Sequence, residues 1–570
     1  MRNVLLPLGC ALWKSHASVG SMILLVPTAG GCTAMMGTKI RSFASLPDDL
    51  SLEELVPQDN FYRRLEATLD LSFVRDLVRD CYASSGRPSV DPAVFFRLQL
   101  VMFFEDIRSE RQLMEVAADR LSVRWFLGYD LNDPLPDHSS LTRIRERYGL
   151  RIFRRFFERI VELCVEAGLV WGKELYFDAT KVEANASLDS MRSRSLMKHG
   201  LEEHLVGIFP EEVLQPVEEG ANTPQITAVG PVGREREALS EANAKRHRWI
   251  EKAGRQQRKV VRWGYSRLAD LRASATDPDA SPMQRKKNKG ASRLGYLTHY
   301  VVDGGKARVI LDVLVTPAEV TENLPMLELL FRSRFRWRLR PRSVTGDAAY
   351  GTVENVAAVE KARIRAYMVL PKHDERSPLF GKGEFVYDAQ KDLYVCPQGE
   401  TLRRQGLDHK ERSIRYAAKS SACNPCPLKS RCTKGRKKGR WIRRSFDEEY
   451  LEKVRSYQDT EPYRKALRKR QVWVEPLFGE AKDWHGSRRF RLRRSEKVNA
   501  EALLIAAGQN IKRLLTYGHG GPRPETQVAA LRRPAPNPYE SRGVRRYRNR
   551  RSRRPARVFQ QPDPFSAARE

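Results

Sequence analysis

The sequence predicts an α/β protein: a mixed sheet flanked by helices, preceded by an all-helical N-terminal region and interrupted by a small cysteine-rich insert. Three observations carry this expectation. Apolar residues recur at helical intervals from about residue 46 to 168. From residue 173 onward, short apolar runs alternate with helical stretches in the order strand, hairpin, helix, strand, helix, strand. Four of the eight cysteines crowd between Cys396 and Cys432.

The helical region, 46–168, is read from its caps and periodicity. "DLSFVRDLVRDCY" spaces apolar residues for one buried face, and "DPAVFFRLQLVMFFEDI" opens with Asp91 as cap and Pro92 in the first turn. Ser109 is a cap for "ERQLMEVAADRL", and Ser139 or Ser140 for "LTRIRERYG". If short turns arrange these helices as a helix-turn-helix, Arg143, Arg145 and Arg147 face DNA. The competing reading is that they solvate an amphipathic helix.

The sheet-forming domain is expected over 169–371 and 446–516, with a polar, helical insertion at 188–290. "KELYFDATK" reads as a buried strand ending near Asp178. "LGYLTHYVVD" and "RVILDVLVTP" are joined by Gly304 and Gly305 as a hairpin. A helix over "NLPMLELLFRSRFR", a strand in "SVTGDAAYG", a helix in "VENVAAVEKAR" and a strand in "RAYMVLP" follow. Residues 372–445 break this pattern with the cysteines and the run "KGRKKGRWIRR". Helices resume at about 446–482 and in "VNAEALLIAAGQNIKRLL". The tail, 517–570, has 13 arginines against four acids and little apolar spacing, so it is expected to be disordered.

Charge narrows the partner. Lys and Arg total 102 against 70 Asp and Glu, a formal net charge of +32, which suits a long polyanion. Nucleic acid is the leading class and an anionic membrane surface the weaker one. No stretch of about 20 uninterrupted apolar residues predicts a transmembrane helix, and no GxxxxGK[ST] loop points to an ATP-driven enzyme. Clustered cysteines in so large a chain fit a reducing cytoplasm better than a disulfide scaffold. Residues 1–45 read as an extension with translation starting near Met35 or Met36, the alternative being a secretion signal in "MILLVPTAGGC".

Three acids stand out. Asp178 and Asp347 each end a short apolar run, and strand ends in α/β sheets are where reactive groups collect. Neighbouring carboxylates repel unless a cation lies between them, and hard oxygen donors suit Mg²⁺ or Mn²⁺. Glu475, opening an apolar-periodic segment, is the third, with Lys482 two turns on along the same helix face. Glu480 is its rival, in less apolar surroundings. Each acid alone has a plainer reading as a turn or helix cap.

These residues resemble the DDE transposases of bacterial insertion sequences, which have an RNase H-like catalytic core. The resemblance runs over roughly residues 46–516. "GRPSVDPAVFFRLQLVMFFEDIRSERQLMEV" and "RWFLGYDLNDPLPDHSSLTRIRER" are similar to an InsH-like N-terminal domain. "FDATKVEANAS", "TGDAAYGTVEN" and "VEPLFGEAKDWHGSRRFRLR" are similar to the three catalytic blocks, with Asp178, Asp347 and Glu475 in the acid positions. The family signature sets a Tyr and an Arg before the Glu and a Lys after it. Here Lys482 keeps its place, Arg470 stands one residue early beside Gln471, and Arg468 replaces the Tyr.

The resemblance implies double-stranded DNA as partner, both transposon ends and target, a homodimer on DNA, and DNA contacts by Arg470 and Lys482. The implied reaction is metal-dependent phosphodiester hydrolysis and strand transfer. The alternative is a catalytically inactive or domesticated DNA-binding protein derived from such an enzyme, and a simple metal nuclease is a third reading. Cys396, Cys423, Cys426 and Cys432 supply enough thiolates for a closed, structural Zn²⁺ site, against reduced structural thiols.

Overall fold

In the computed structural model, residues 51–83, 89–193, 272–284, 292–370, 378–409, 411–435 and 437–518 are described. The N-terminal extension, the helical centre of the 188–290 insertion, the arginine-rich tail beyond 518, Cys10 and Cys32 lie outside them.

The N-terminal region is helical, as its periodicity requires: α1 (Leu52–Leu55), α2 (Phe61–Thr68), α3 (Phe73–Val78), α4 (Pro92–Phe104), α5 (Glu110–Asp119), α6 (Leu121–Leu127) and α7 (His138–Glu166). Asp91 Oδ1 accepts the Ala93 N–H at 2.7 Å, with Pro92 opening α4. Ser109 caps α5. The cap of α7 corrects the sequence reading: it is Asp137, which accepts from the Ser139 N–H at 2.8 Å, and Ser139 and Ser140 fall in the first turn. A carboxylate there also answers the helix dipole. Helix α7 is broken at Gly149, whose φ of 58° is the left-handed conformation that glycine adopts at little cost.

The main sheet contains β1 (Glu174–Glu183), β4 (Ser281–Gln284), β5 (Ser292–Asp303), β6 (Ile310–Pro317), β7 (Ser343–Gly346) and β8 (Arg365–Met368). Strand β5 runs antiparallel to β1, β4 and β6, while β7 is parallel to both β1 and β8. Two helices, α8 (Met326–Arg336) and α9 (Val353–Lys361), precede β7 and β8. The described flanks of the insertion are strands, where the sequence suggested only helix and polar chain. Strand β2 (Met191–Ser193) pairs with β3 (Arg272–Ser274), so the chain leaves and returns at one place.

The cysteine-bearing insert holds a second sheet that sequence patterning missed. Strands β9 (Val386–Asp388), β10 (Leu393–Val395), β11 (Thr401–Asp408), β12 (Ser413–Ala417) and β13 (Trp441–Ser445) form an antiparallel meander. Its core is Phe385, Tyr394, Leu402, Tyr416, Ala418 and Ile442. Between β12 and β13 lie two single turns, α10 (Ser420–Cys423) and α11 (Lys429–Cys432).

The chain closes with α12 (Glu448–Tyr457), α13 (Glu461–Trp473), α14 (Glu475–Trp484) and α15 (Ser495–Tyr517). Helix α15 joins the helical region to the sheet in one continuous core: Leu503 and Ile511 are buried with Phe96 and Phe156 on one side and Val301 and Val313 on the other. Its buried amides finish the sheet edge. Asn499 bonds both the N–H and C=O of Val315, at 2.8 and 3.0 Å, and Asn510 does the same for Ile310, at 2.9 and 2.8 Å. Edge-strand backbone groups that would otherwise lie buried and unpaired are thereby satisfied.

Candidate functional site

Asp178 does not end its strand, as the apolar run had suggested; it sits in the middle of β1, because pairing with β5 continues from Asp178↔Tyr300 to Glu183↔Gly295. What ends is the neighbour. Strand β7 stops at Gly346, and Asp347 follows. The parallel register pairs Tyr176 with Thr345, and two residues further along each strand stand Asp178 and Asp347. Side chains alternate with period two, so both acids leave the sheet at the same level and on the same face as that pair.

Glu475 reaches this rim from the other layer. It opens α14, with Pro476 in the first turn. Arg470, near the end of α13, links the two layers: its guanidinium donates to Asp178 Oδ2 at 2.6 Å and lies 3.7 Å from Glu475 Oε1. The arginine that stands one position early in the sequence signature is therefore the one that turns to the acids, while Gln471 is exposed and Arg468 pairs with Glu461 at 2.7 Å. Lys482, two turns along α14, donates to Thr180 Oγ1, two residues beyond Asp178 on the same strand face.

Electrostatics records the crowding. Burial pushes the Asp178 carboxyl up to about 6; the Arg470 charge and the Ala179 N–H oppose this, and the charges of Asp347 and Glu475 add to it. Asp347 keeps one oxygen on the Ala349 N–H at 2.8 Å. Tyr350 lies beneath, 2 % exposed, its phenol held well above its ordinary pKa by burial and then by the charges of Asp178, Glu322 and Asp347. Sequence reasoning missed Thr180 and Tyr350. The period-two step from Asp178 would have found Thr180; nothing in the pattern marked Tyr350.

Glu480, the rival acid, faces elsewhere. It is tied to Lys512 at 2.6 Å and Arg513 at 2.7 Å on α15. Burial raises its pKa, but hydrogen bonds from His485 and Arg513 and the Arg513 charge overcome this and leave it well below the carboxylate range. Lys469 likewise turns from the acids, donating to Glu174 and to the Gly304 carbonyl at a cleft of about 880 Å³ lined by Trp171, Lys465, Trp473 and Tyr517.

Of the three arginines expected to face DNA, one is turned into the protein. Arg145 is buried, 6 % exposed, and paired with Glu110, which also receives Arg491 at 2.9 Å. It occupies the inward face of α7 with Ile144 and Tyr148, and its charge is spent inside the protein. Arg143 and Arg147 are exposed, Arg143 beside Ser139 and Ser140 and Arg147 over the Tyr82 ring.

The four cysteines gather at one end of the small sheet. Cys396 follows β10, Cys423 ends α10, Cys432 ends α11, and these three pack against the same small core. Burial raises the Cys432 thiol; Arg440 opposes, while Cys423, Cys396 and Cys426 add to the rise. The Arg440 N–H points to Cys423 Sγ at 3.5 Å. All four thiols are free, and among the described residues no group of three or more His, Cys, Asp or Glu side chains is closed into a metal-holding cluster. Nor is any helix among them long and apolar enough to cross a membrane.

Both donor sets nonetheless suit a cation chemically. At the sheet rim a guanidinium already occupies the space between Asp178 and Glu475, a positive charge standing where three carboxylates call for one. In the insert, Cys432 is a thiol that burial and its three cysteine neighbours hold protonated, and a bound cation would favour its ionisation.

Residues 50–147 match a family model described as Transposase domain (DUF772), and residues 395–515 match one described as Transposase DDE domain. The second segment carries Glu475, Lys482 and all four clustered cysteines; neither segment reaches Asp178 or Asp347. No curated protein and no solved structure matches the chain. The two models match separate segments, one in the helical region and one running through the insert to α15, and both describe transposase domains; together they support an insertion-sequence DDE transposase.

Proposed function

We propose that this transposase cuts and joins DNA at the rim formed by Asp178, Asp347 and Glu475, with Mg²⁺ or Mn²⁺ as cofactor. The observation that carries this is the β1–β7 register, in which the pairing of Tyr176 with Thr345 leads to Asp178 and Asp347 at one level, with Arg470 reaching from Asp178 to Glu475. Bound divalent ions would activate the attacking water or 3′-hydroxyl and stabilise the leaving oxygen of an in-line displacement at phosphorus.

The chain's own residues do the rest. The three carboxylates hold the cations and set where the scissile phosphate lies. Arg470 and Lys482 neutralise that phosphate, Arg470 exchanging its bond to Asp178 for one to the DNA. Thr180 keeps the Lys482 ammonium aimed at the rim. The substrate is double-stranded DNA, the element's ends and then the target, and two copies of the chain hold two ends. Supporting this partner are the family and the net charge of +32.

The four cysteines hold a structural Zn²⁺, supported by their gathering at one end of the small sheet and by the electrostatic coupling of Cys432 to the other three. The test of the active site uses Asp178→Asn in the full chain. Excision should fall by at least about a thousandfold while binding to the element's ends stays within about twofold. Mg²⁺ should raise the melting temperature of the wild type and not of the variant. Excision surviving in the variant would sink the assignment.

A further inference from the structure

The small sheet treats the arginines on its two faces differently. On the face that holds its core, Arg444 donates to Glu452 and lies 3.8 Å from the centroid of the Tyr387 ring, and Arg404 pairs with Asp392 at 3.5 Å. Each of these charges has its acid. On the other face the register brings Trp441 beside Ala417 and Ala417 beside Arg403, while Arg443 stands directly opposite Arg415. Arg403, Arg415 and Arg443 are exposed, and none of them forms an ion pair among the described residues.

Like charges directly opposite on adjacent strands repel. Among the described residues no acid pairs with them, but something orients them: Trp441, 45 % exposed, has the Arg415 guanidinium 5.1 Å and the Arg443 guanidinium 5.4 Å from its ring. Stacking on an aromatic ring fixes a guanidinium's plane and leaves its N–H groups free for a second partner. Three arginines on a rigid sheet, two of them pre-oriented, match the spaced anionic oxygens of a nucleic-acid backbone.

Arg443 also lines a cleft of about 720 Å³ whose other wall includes Thr352, Val353 and Glu354, at the start of α9. That helix is the one that follows Asp347. Of the four acids that line the cleft, Glu354, Glu411, Asp447 and Glu448, the last two are already matched, Asp447 by Lys361 and Arg412 and Glu448 by Lys382 and Arg455.

We infer that the outer face of the insert sheet, Arg403, Arg415, Trp441 and Arg443, is a docking surface for the phosphate backbone of double-stranded DNA, apart from the acids and indifferent to base sequence. The inference rests on the reading above that the chain acts on DNA. Its test is the salt dependence of duplex binding by the full chain. Each phosphate contact adds about 0.9 to the slope of log affinity against log salt, so Arg415→Gln with Arg443→Gln should lower the slope by about two and affinity at low salt by about tenfold or more.

Arg415→Lys with Arg443→Lys should keep the slope. An unchanged slope in the glutamine variant overturns the inference. So does a glutamine variant that binds duplex normally and loses only its binding to vesicles of anionic phospholipid. A wild-type chain that binds no duplex at all would instead remove the proposed function on which the surface rests.

Discussion

Two buried aspartates with similar titration do different work, and environment separates them. Asp178 and Asp277 are both pushed up to about 6, first by burial. Asp178 faces a guanidinium and two further acids at an open rim. Asp277 is fully buried and structural: it accepts the Tyr296 hydroxyl at 2.6 Å and the Arg494 N–H at 2.9 Å, beside Asp279, which takes the Ser495 N–H at 2.6 Å at the start of α15. A carboxyl whose pKa is raised in the folded state contributes its full stability below the unfolded value of 3.8 and loses it as pH rises through about 6. Asp277→Asn should therefore stabilise the protein at pH 7.5, by up to about 3 kcal/mol for a shift of about two pH units, and the gain should vanish near pH 4. Thermal melts at the two pH values check this; equal melting differences at both would show that the Asp277 charge costs the fold nothing. That Asp178, Asp347 and Glu475 come together was legible in sequence, because their neighbours form apolar runs. Which arginines matter was not: Arg143, Arg145 and Arg147 look alike in sequence, and only packing reveals that Arg145 is turned inward to Glu110.

At the scale of elements, legibility followed hydrophobic contrast. Helix α4 and the β5–β6 hairpin are rich in apolar residues and bounded by caps or glycines, so their positions could be read directly. Strands β11 to β13 could not, because arginines fall on both faces and Leu402, Tyr416 and Ile442 are too sparse to set a period of two. The role of α15 was half legible. Its apolar stripe announced a helix, while nothing in the pattern marked Asn499 and Asn510 as completing a sheet edge. Asn510→Leu keeps the forked shape of the side chain and removes both hydrogen bonds, leaving the Ile310 N–H and C=O buried and unpaired. At about 1–3 kcal/mol for each such group, the variant should lose roughly 2–6 kcal/mol of stability. Urea denaturation measures it, and a loss below about 1 kcal/mol would mean that the edge of β6 finds its partners elsewhere.

Across the whole molecule the main core and the core of the insert differ greatly in size, and this bears on the proposed role of the cysteines. One core runs without a break from Tyr62 through the sheet to Leu514, large enough to need no staple. The insert has a separate core of six buried residues around a single meander, three aromatic (Phe385, Tyr394 and Tyr416) and three aliphatic (Leu402, Ala418 and Ile442). So small a core seldom holds a sheet by itself, and a structural metal or disulfide usually makes up the difference. The cysteines are free, and they bracket that core at Cys396, Cys423 and Cys432. Zinc removal should therefore act locally. A strong chelator should release about one zinc per chain and speed amide hydrogen exchange in β9 to β13, while β1, β5 and α15 keep their protection. Cys423→Ser with Cys426→Ser should reproduce the local loss without chelator, and Mg²⁺ should restore neither. If the purified chain holds no zinc and exchange in the insert is slow regardless, the four thiols are ordinary packing residues, and the stability of the small sheet must come from contacts outside its own core.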